Sequence, residues 1–374
     1  MDSKIYKIKE TVDIFISSED NTDNVKLTFH VMTTRDRLEI KTNKNVARFI
    51  ASLDGIKTIN DIVTEMGSLR SKDVDKLITF LLNQHFIYDV NNICDIEPRF
   101  SRQITFWDDF VLERPGVDTQ HILESKKVVL FGCGAVGAKI IEILVRAGVK
   151  NIVLVDYKSL TKSNAARHCY YNYKKIGKPK VDVLSEFLSW IDSRVIITKH
   201  FEKLIPTTNL SSIIPDDTDL IINTCDEPYI GHTSLKLGRY AQARAIPLYV
   251  SGGFDAHLMS SGELIFPPHT PCIDCAQNTF SKALKGWKPV YSIVNNPQLD
   301  LSKSVYDNYI PGGPGGLAMM NGFSANLSCM KLIHFLLDDS AFSYVNSRYE
   351  YLPNEGKMTN FELVKQSGCK ICNE

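Results

Sequence analysis

Four consecutive apolar residues, Val128 to Phe131, run straight into Gly132-Cys-Gly134-Ala-Val-Gly137 and then into a helical stretch, Ala138 to Ala147. A strand that turns on glycines into a helix lets a phosphate approach backbone N–H groups, because glycine permits the tight turn and leaves room at the helix N-terminus. The acidic residue that such a turn needs about 20 positions further on, to take ribose hydroxyls, is Asp156 at the end of the next apolar run. A tight turn that binds nothing would also use Gly132, Gly134 and Gly137; the strand, the helix and Asp156 together favour a nucleotide site.

Further apolar runs, Ile152 to Val155, Val195 to Ile197, Leu220 to Ile222 and Pro247 to Val250, alternate with helical segments. Continuous apolar strands separated by helices predict a parallel sheet covered on both faces, a doubly wound, Rossmann-like α/β domain. Upstream the pattern differs. Lys26 to Met32 and Leu38 to Lys41 alternate as strands do, Asn45 to Leu53 has helical period, Thr58-x-x-Asp61 is a capping pattern, and Asp73 to His85 repeats apolar residues at helical spacing before a short strand, Phe86 to Val90. The polar stretch Asn91 to Pro98 predicts a linker, which divides the 374 residues into a small α+β domain, 1–95, and the nucleotide domain, 96–374.

Lysine plus arginine equals aspartate plus glutamate, 43 against 43, so no global charge points to nucleic acid or to an anionic membrane surface. No apolar run approaches the roughly 20 residues that span a bilayer, and the opening Met-Asp-Ser-Lys-Ile-Tyr-Lys has no signal-peptide character, so a cytoplasmic protein is expected.

The residues after Asp156 separate ATP from NAD. Ser163-Asn164-Ala-Ala-Arg167-His168 and Gly177-Lys-Pro-Lys180 resemble the Ser-Asn-x-x-Arg and Gly-x-x-Lys motifs of the ThiF, MoeB and ubiquitin-activating family. The resemblance implies that Arg167 and Lys180 contact the triphosphate with Asn164 beside them, that Asp226 in Asn223-Thr-Cys-Asp226 ligates magnesium, and that Arg102 in Phe100-Ser-Arg-Gln103 reaches the nucleotide of a second subunit, making a homodimer functional. Singly, each of these could be a solvated charge or a helix cap; five positions in family order are not expected by coincidence. His168 stands where the family usually has glutamine.

Cys272-x-x-Cys275 and Cys369-x-x-Cys372 form two pairs far apart in sequence, the spacing of a closed, structural tetrahedral zinc site that ties the C-terminal tail to the domain, and the resembled family places cysteines likewise. Of the nine cysteines, Cys94, Cys133, Cys169, Cys225 and Cys329 sit in no thioester motif; they are expected to be buried small apolar residues, with no covalent enzyme intermediate.

Asn45 to Ile62, with Val74 to Ile87 behind it, resembles a PqqD-type recognition domain, a small winged-helix-like clamp that binds a leader peptide as an added strand. A winged-helix-like packing or dimerisation domain is the alternative. The whole order resembles the peptide-modifying branch of the family, the enzymes of microcin C and pantocin A type, with the glycine-rich stretch Pro311 to Gly316 replacing an apolar segment. The expected function is ATP- and magnesium-dependent adenylation of a carboxyl or carboxamide group on a ribosomally made precursor peptide, ending in ring closure or in retention of AMP. Adenylation of the Gly-Gly tail of a sulfur-carrier or ubiquitin-like protein, a non-catalytic peptide scaffold, and a nicotinamide oxidoreductase are the competing readings; the last leaves Arg167 and Lys180 unexplained.

Overall fold

Val25, Leu27 and Phe29 alternate with Lys26, Thr28 and His30, so one face of a strand is apolar and must be covered. The computed structural model describes residues 3–18, 23–67, 71–93, 97–111, 114–226, 230–251, 259–283, 316–337 and 346–372. It divides into two compact units, 1–120 and 121–374.

In the first unit the strands β1 (Ile5–Ile8), β2 (Val12–Ser18), β3 (Asn24–Val31) and β4 (Arg37–Asn43) lead to helix α1 (Lys44–Ala51), followed by β5 (Asp54–Thr58), α2 (Ile59–Met66), α3 (Ser71–Asn83) and β6 (Ile87–Asp89). Two antiparallel sheets result, β2-β3-β4 and β5-β1-β6. Leu27, Phe29, Phe49, Ile50, Ile78 and Leu81 fill the core, where the Phe29 and Phe86 rings stack at 4.5 Å. The predicted capping box is present: the Thr58 hydroxyl accepts from the Asp61 N–H, and the Asp61 carboxylate accepts from the Thr58 N–H.

Helix α4 (Ser101–Phe110) and the start of α5 (Gly116–Ser125) lie in this first unit, beyond the polar stretch read as a linker. Lys9 explains it: its ammonium donates to the Asp108 carbonyl and pairs with Asp109 at 3.2 Å, and both charged groups are buried. Trp107 Nε1–H and Asp108 then bind Gln120 and Gly116, closing α4 onto α5.

The second unit is the expected doubly wound domain. Strands β7 (Lys127–Phe131), β8 (Asn151–Val155), β9 (Ile196–His200), β10 (Leu220–Asn223) and β11 (Leu248–Val250) are parallel and alternate with α6 (Ala135–Ala147), α7 (Lys180–Ile191) and α8 (Ile230–Gln242). After β12 (Met259–Ser260), the strand β13 (Glu263–Ile265) adds antiparallel, giving the order β13-β11-β10-β7-β8-β9. Helices α9 (Ile273–Ala283) and α10 (Ala318–Leu336) and the strands β14 (Ser347–Leu352) and β15 (Lys357–Glu362) complete the unit, β12-β14-β15 forming a small sheet. Of the apolar runs read as buried strands, the one at Val195 to Ile197 differs: β9 is the sheet edge, and Ile196 is exposed. Residues 311–315 of the glycine-rich stretch lie outside the described residues. Among those described, no helix is long and apolar enough to cross a membrane.

A buried ionic cluster joins the small sheet to the large one. Arg348, 1% exposed, reaches Glu263 at 3.3 Å and Glu350 at 2.7 Å, and Lys331 donates to the Gly262 carbonyl. Burial pushes the Glu263 carboxyl up to about 7 and pulls the Lys331 ammonium down to about 8. Glu263→Ala is expected to destabilise this unit by about 3 kcal/mol in urea unfolding, since it strands buried positive charge.

Candidate active site

The chain runs β7, β8, β9 in one direction across the sheet and then returns to place β10 on the other side of β7. Such a reversal opens a crevice at the carboxyl ends of the two central strands, here between the turns after β7 and β10. Gly132, at φ +95°, and Gly137 are both needed there, because a Cβ on either would fall 2.6 or 2.5 Å from Thr224 Oγ1, in the turn after β10. Thr224 Oγ1–H in turn donates to the Gly132 carbonyl at 2.7 Å. Gly134 is the N-cap of α6, with no side-chain cap and open space where a Cβ would stand, so nothing among the described residues covers that side of the turn.

Asp156 ends β8 and is 9% exposed. Its two oxygens accept the Cys133 N–H and the Lys158 N–H, each at 2.8 Å, so this carboxylate fixes the glycine turn from outside it. Tyr170 fixes the same residue from its other end, donating its hydroxyl to the Cys133 carbonyl at 2.6 Å. Lys180 opens α7 and is buried; desolvation draws its ammonium below the usual lysine range, while the carboxylates of Asp156 and Asp226 act in the opposite sense. Asp226 is exposed, three residues past the end of β10, and Arg167 is exposed on the turn after Asn164. Asn164 is buried, its side-chain Oδ1 accepting from the Thr161 N–H at 2.9 Å, so in this structure it organises the Ser163 to Arg167 turn. Of the predicted nucleotide residues, Gly132, Gly134, Gly137, Asp156, Lys180 and Asp226 meet at this end of the sheet; Arg102 is an exposed residue of α4 in the first unit.

His168 is buried, with neither ring nitrogen finding a hydrogen-bond partner among the described residues, and its ring packs edge-on to Tyr170 at 5.4 Å. Desolvation, then Lys180 and Arg167, pull its pKa down to about 3. In the sequence His168 is only a departure from a family pattern, Thr224 is only a spacer within Asn223-Thr-Cys-Asp226, and Tyr170 stands in no motif, because their roles depend on contacts made by folding.

The four paired cysteines converge. Sγ of Cys272 lies 3.7 Å from that of Cys369, Sγ of Cys275 lies 3.6 Å from that of Cys372, and all four lie within 4.8 Å of one another. Metal–sulfur bonds of about 2.3 Å in a tetrahedron put sulfurs roughly 3.8 Å apart, so the donor set fits a closed thiolate site. Among the remaining cysteines Cys133 and Cys329 are buried as expected and Cys225 is half-buried. Cys169 departs from the expectation: the residue is exposed, on a turn beside α6, although its thiol is enclosed enough for desolvation and then the Glu142 charge to push it up to about 12. Cys94 lies outside the described residues.

An open helix N-terminus, a lysine and two carboxylates at the switch point of a doubly wound sheet define a nucleotide-binding α/β protein. Residues 100–371 match the ThiF family, and the chain belongs to it. It is an adenylating enzyme of that family. A molybdopterin-synthase adenylyltransferase of Haemophilus influenzae is 28% identical over 245 residues, 63% of this chain and 95% of that protein; its Escherichia coli counterpart is 27% identical over 187 residues, 49% and 69%. In structure, Escherichia coli MccB solved with MccA aligns with a TM-score of 0.70 at 19% identity, covering 99% of both chains. PaaA aligns with a TM-score of 0.69 at 17% identity, covering 96% of this chain and all of that one. These likenesses show a fold shared along nearly the whole chain.

Because the folded protein keeps His168 neutral down to about pH 3 while the unfolded chain protonates it near 6.5, this residue takes stability away as pH falls through that window. In His168→Gln the acid-side loss of stability should be shallower by about 1 kcal/mol per pH unit below 6.5, read from urea unfolding at a series of pH values.

Proposed function

We propose that the protein adenylates a carboxyl or carboxamide group of a ribosomally made precursor peptide, as a step in making a peptide antibiotic. The observation that carries the reading is the convergence of the open α6 N-terminus with Lys180 and Asp226, in a chain whose fold matches MccB from end to end. MccB has been solved in complex with N-formylated MccA, and in this chain the first unit, residues 1–120, is available to hold a leader peptide as an added strand.

Charge gives the mechanism. An ionised carboxylate, with a reference pKa of roughly 4, is already a nucleophile at pH 7, so its oxygen attacks the α-phosphate of ATP without a strong base. The bond from that phosphorus to the bridging oxygen breaks and pyrophosphate leaves. Lys180 and Arg167, with Arg102 supplied from a second copy in a homodimer, offset the charge that moves onto the leaving group. Magnesium, which commonly binds through one or two carboxylates together with substrate phosphates, would be held by the exposed Asp226. Asp156 and Asn164 hold the turns that receive the ribose and phosphates. We read the cysteine tetrad as structural zinc, with no catalytic duty because it has no open position. Cys133 and Cys329 are buried and the Cys169 thiol is pushed up, so none of these three is poised to take the acyl group, and capture by a nucleophile within the peptide, closing a ring and releasing AMP, is the fate we favour over retention of AMP.

A second reading, adenylation of the Gly-Gly tail of a sulfur-carrier protein, is favoured by the molybdopterin-synthase adenylyltransferases among the sequence relatives. Pyrophosphate release and peptide mass, followed with MgATP and short peptides encoded beside the gene, test the two. Loss of water on one peptide supports ring closure, a gain of AMP supports retention, and turnover only with a Gly-Gly-tailed carrier selects the second reading.

Asp226→Ala should lower pyrophosphate release at least 100-fold with an unchanged melting temperature; full activity would remove Asp226 from the metal site. Metal analysis should find one zinc per chain, and Cys372→Ser should lose it along with stability. Unchanged metal content in that variant would overturn the zinc assignment.

A further inference from the structure

Two consecutive peptide units make the glycine turn, and they are held differently. In the first, Gly132–Cys133, both polar groups are bound within the protein: the Gly132 carbonyl accepts from Thr224 Oγ1–H at 2.7 Å, and the Cys133 N–H donates to Asp156 at 2.8 Å. In the second, Cys133–Gly134, the carbonyl accepts from the Tyr170 hydroxyl at 2.6 Å. Its other polar group, the Gly134 N–H, meets no acceptor among the described residues, and the turn is open at Gly134, where a Cβ would meet nothing within 4 Å.

A trans peptide points its C=O and N–H in opposite directions, and this one is trans. A hydroxyl that grips the Cys133 carbonyl from one side therefore turns the Gly134 N–H to the other. Glycine makes that grip necessary. Without a Cβ, Gly134 tolerates positive φ about as readily as the −73° it adopts, so its own torsions do little to stop the peptide plane from flipping. A flip would aim the Cys133 carbonyl oxygen, which repels an anion, where the N–H now points. One hydrogen bond shifts such an equilibrium roughly 2- to 10-fold. Tyr170 is suited to supply it. The residue is 3% exposed, and burial pushes its phenol well above the usual tyrosine range, so the hydroxyl stays protonated as a donor at any working pH. It also lies three residues past Arg167, in the segment that carries the predicted phosphate-binding cation.

Resting on the nucleotide assignment above, we propose that Tyr170 is a positioning residue for the phosphates: by fixing the Cys133–Gly134 peptide plane, it presents the Gly134 N–H to them as a donor. Tyr170 acts through the backbone and touches no substrate. Asp156 and Thr224 hold the first peptide unit of the turn, and Tyr170 aims the second.

Cys133–Gly134 is the one Cys-Gly step in the sequence, so the full chain labelled with carbonyl-13C cysteine and 15N glycine gives a single carbonyl-correlated amide signal, from this peptide unit alone. In the wild-type chain the Gly134 amide proton should move downfield on adding MgATP, and move less with adenosine, which has no phosphate. Tyr170→Phe removes the hydroxyl and keeps the buried ring. It should weaken MgATP binding about 5-fold or more in calorimetry, change adenosine affinity by less than about twofold, and shrink the shift that MgATP causes at Gly134. A wild-type signal that does not respond to MgATP, or a Tyr170→Phe variant that binds MgATP as wild type does, would overturn the proposal. So would equal weakening of MgATP and adenosine, which would make Tyr170 a structural support only. If the wild-type chain binds no MgATP at all, the nucleotide assignment itself fails and the proposal falls with it.

Discussion

The second unit depends on the carboxylate of Asp156. By accepting the Cys133 N–H on one oxygen and the Lys158 N–H on the other, it joins the turn after β7 to the segment leaving β8. Cys133 stands between Gly132 and Gly134, so the shape of the turn is set by a charge outside it. Tyr170 holds the Cys133 carbonyl, and Thr224 holds the Gly132 carbonyl from the turn after β10. Each flank of the crevice thereby contributes one contact to the same turn, and loss of Asp156 would leave the buried Cys133 N–H at its centre without that acceptor.

That cradle was legible in the sequence because its determinants are local. Strands β7, β8, β10 and β11 are buried on both faces and read as unbroken apolar runs, and the glycines follow β7 without interruption. Legibility failed where surroundings decide. β9 has an apolar start yet forms the exposed edge, and β15 alternates around polar residues that give no apolar run to find. Residues 101–120 follow a polar stretch that reads as a boundary, but buried ion pairing by Lys9 holds them in the first unit, a contact across most of its length. Site residues divided the same way: Arg167, Lys180 and Asp226 stand in motifs, whereas Tyr170 acts through a contact that no spacing encodes.

The cysteine tetrad ties the end of the chain to the domain at a point chosen by packing. Cys272 lies directly before α9, and Ile273, the first residue of that helix, sits against Gly238 of α8, where a Cβ would come within 2.6 Å of the isoleucine side chain. The first cysteine pair is therefore held by helix packing before any metal binds. The second pair comes from a tail that Gln366 anchors by its N–H to Cys275 Sγ. A metal closing these four sulfurs converts two weakly joined segments into one cross-link, which matters most for a C-terminal tail with little apolar surface of its own.

The same economy of charge governs the crevice. Lys180 is buried at a cost in solvation, which lowers its pKa, and Asp156 and Asp226 act in the opposite sense without offsetting that cost. A further negative charge arriving at the α6 N-terminus restores the balance, so the fixed charges are complementary to an anion that the described residues do not themselves provide. His168 follows the opposite logic. Placed near Lys180 and Arg167 and removed from water, its ring is held in the neutral form, its pKa drawn down to about 3. Cationic groups thus gather at the α6 end of the crevice while the imidazole beside them stays uncharged, so two kinds of surface, one charged and one neutral, lie within a few residues of sequence.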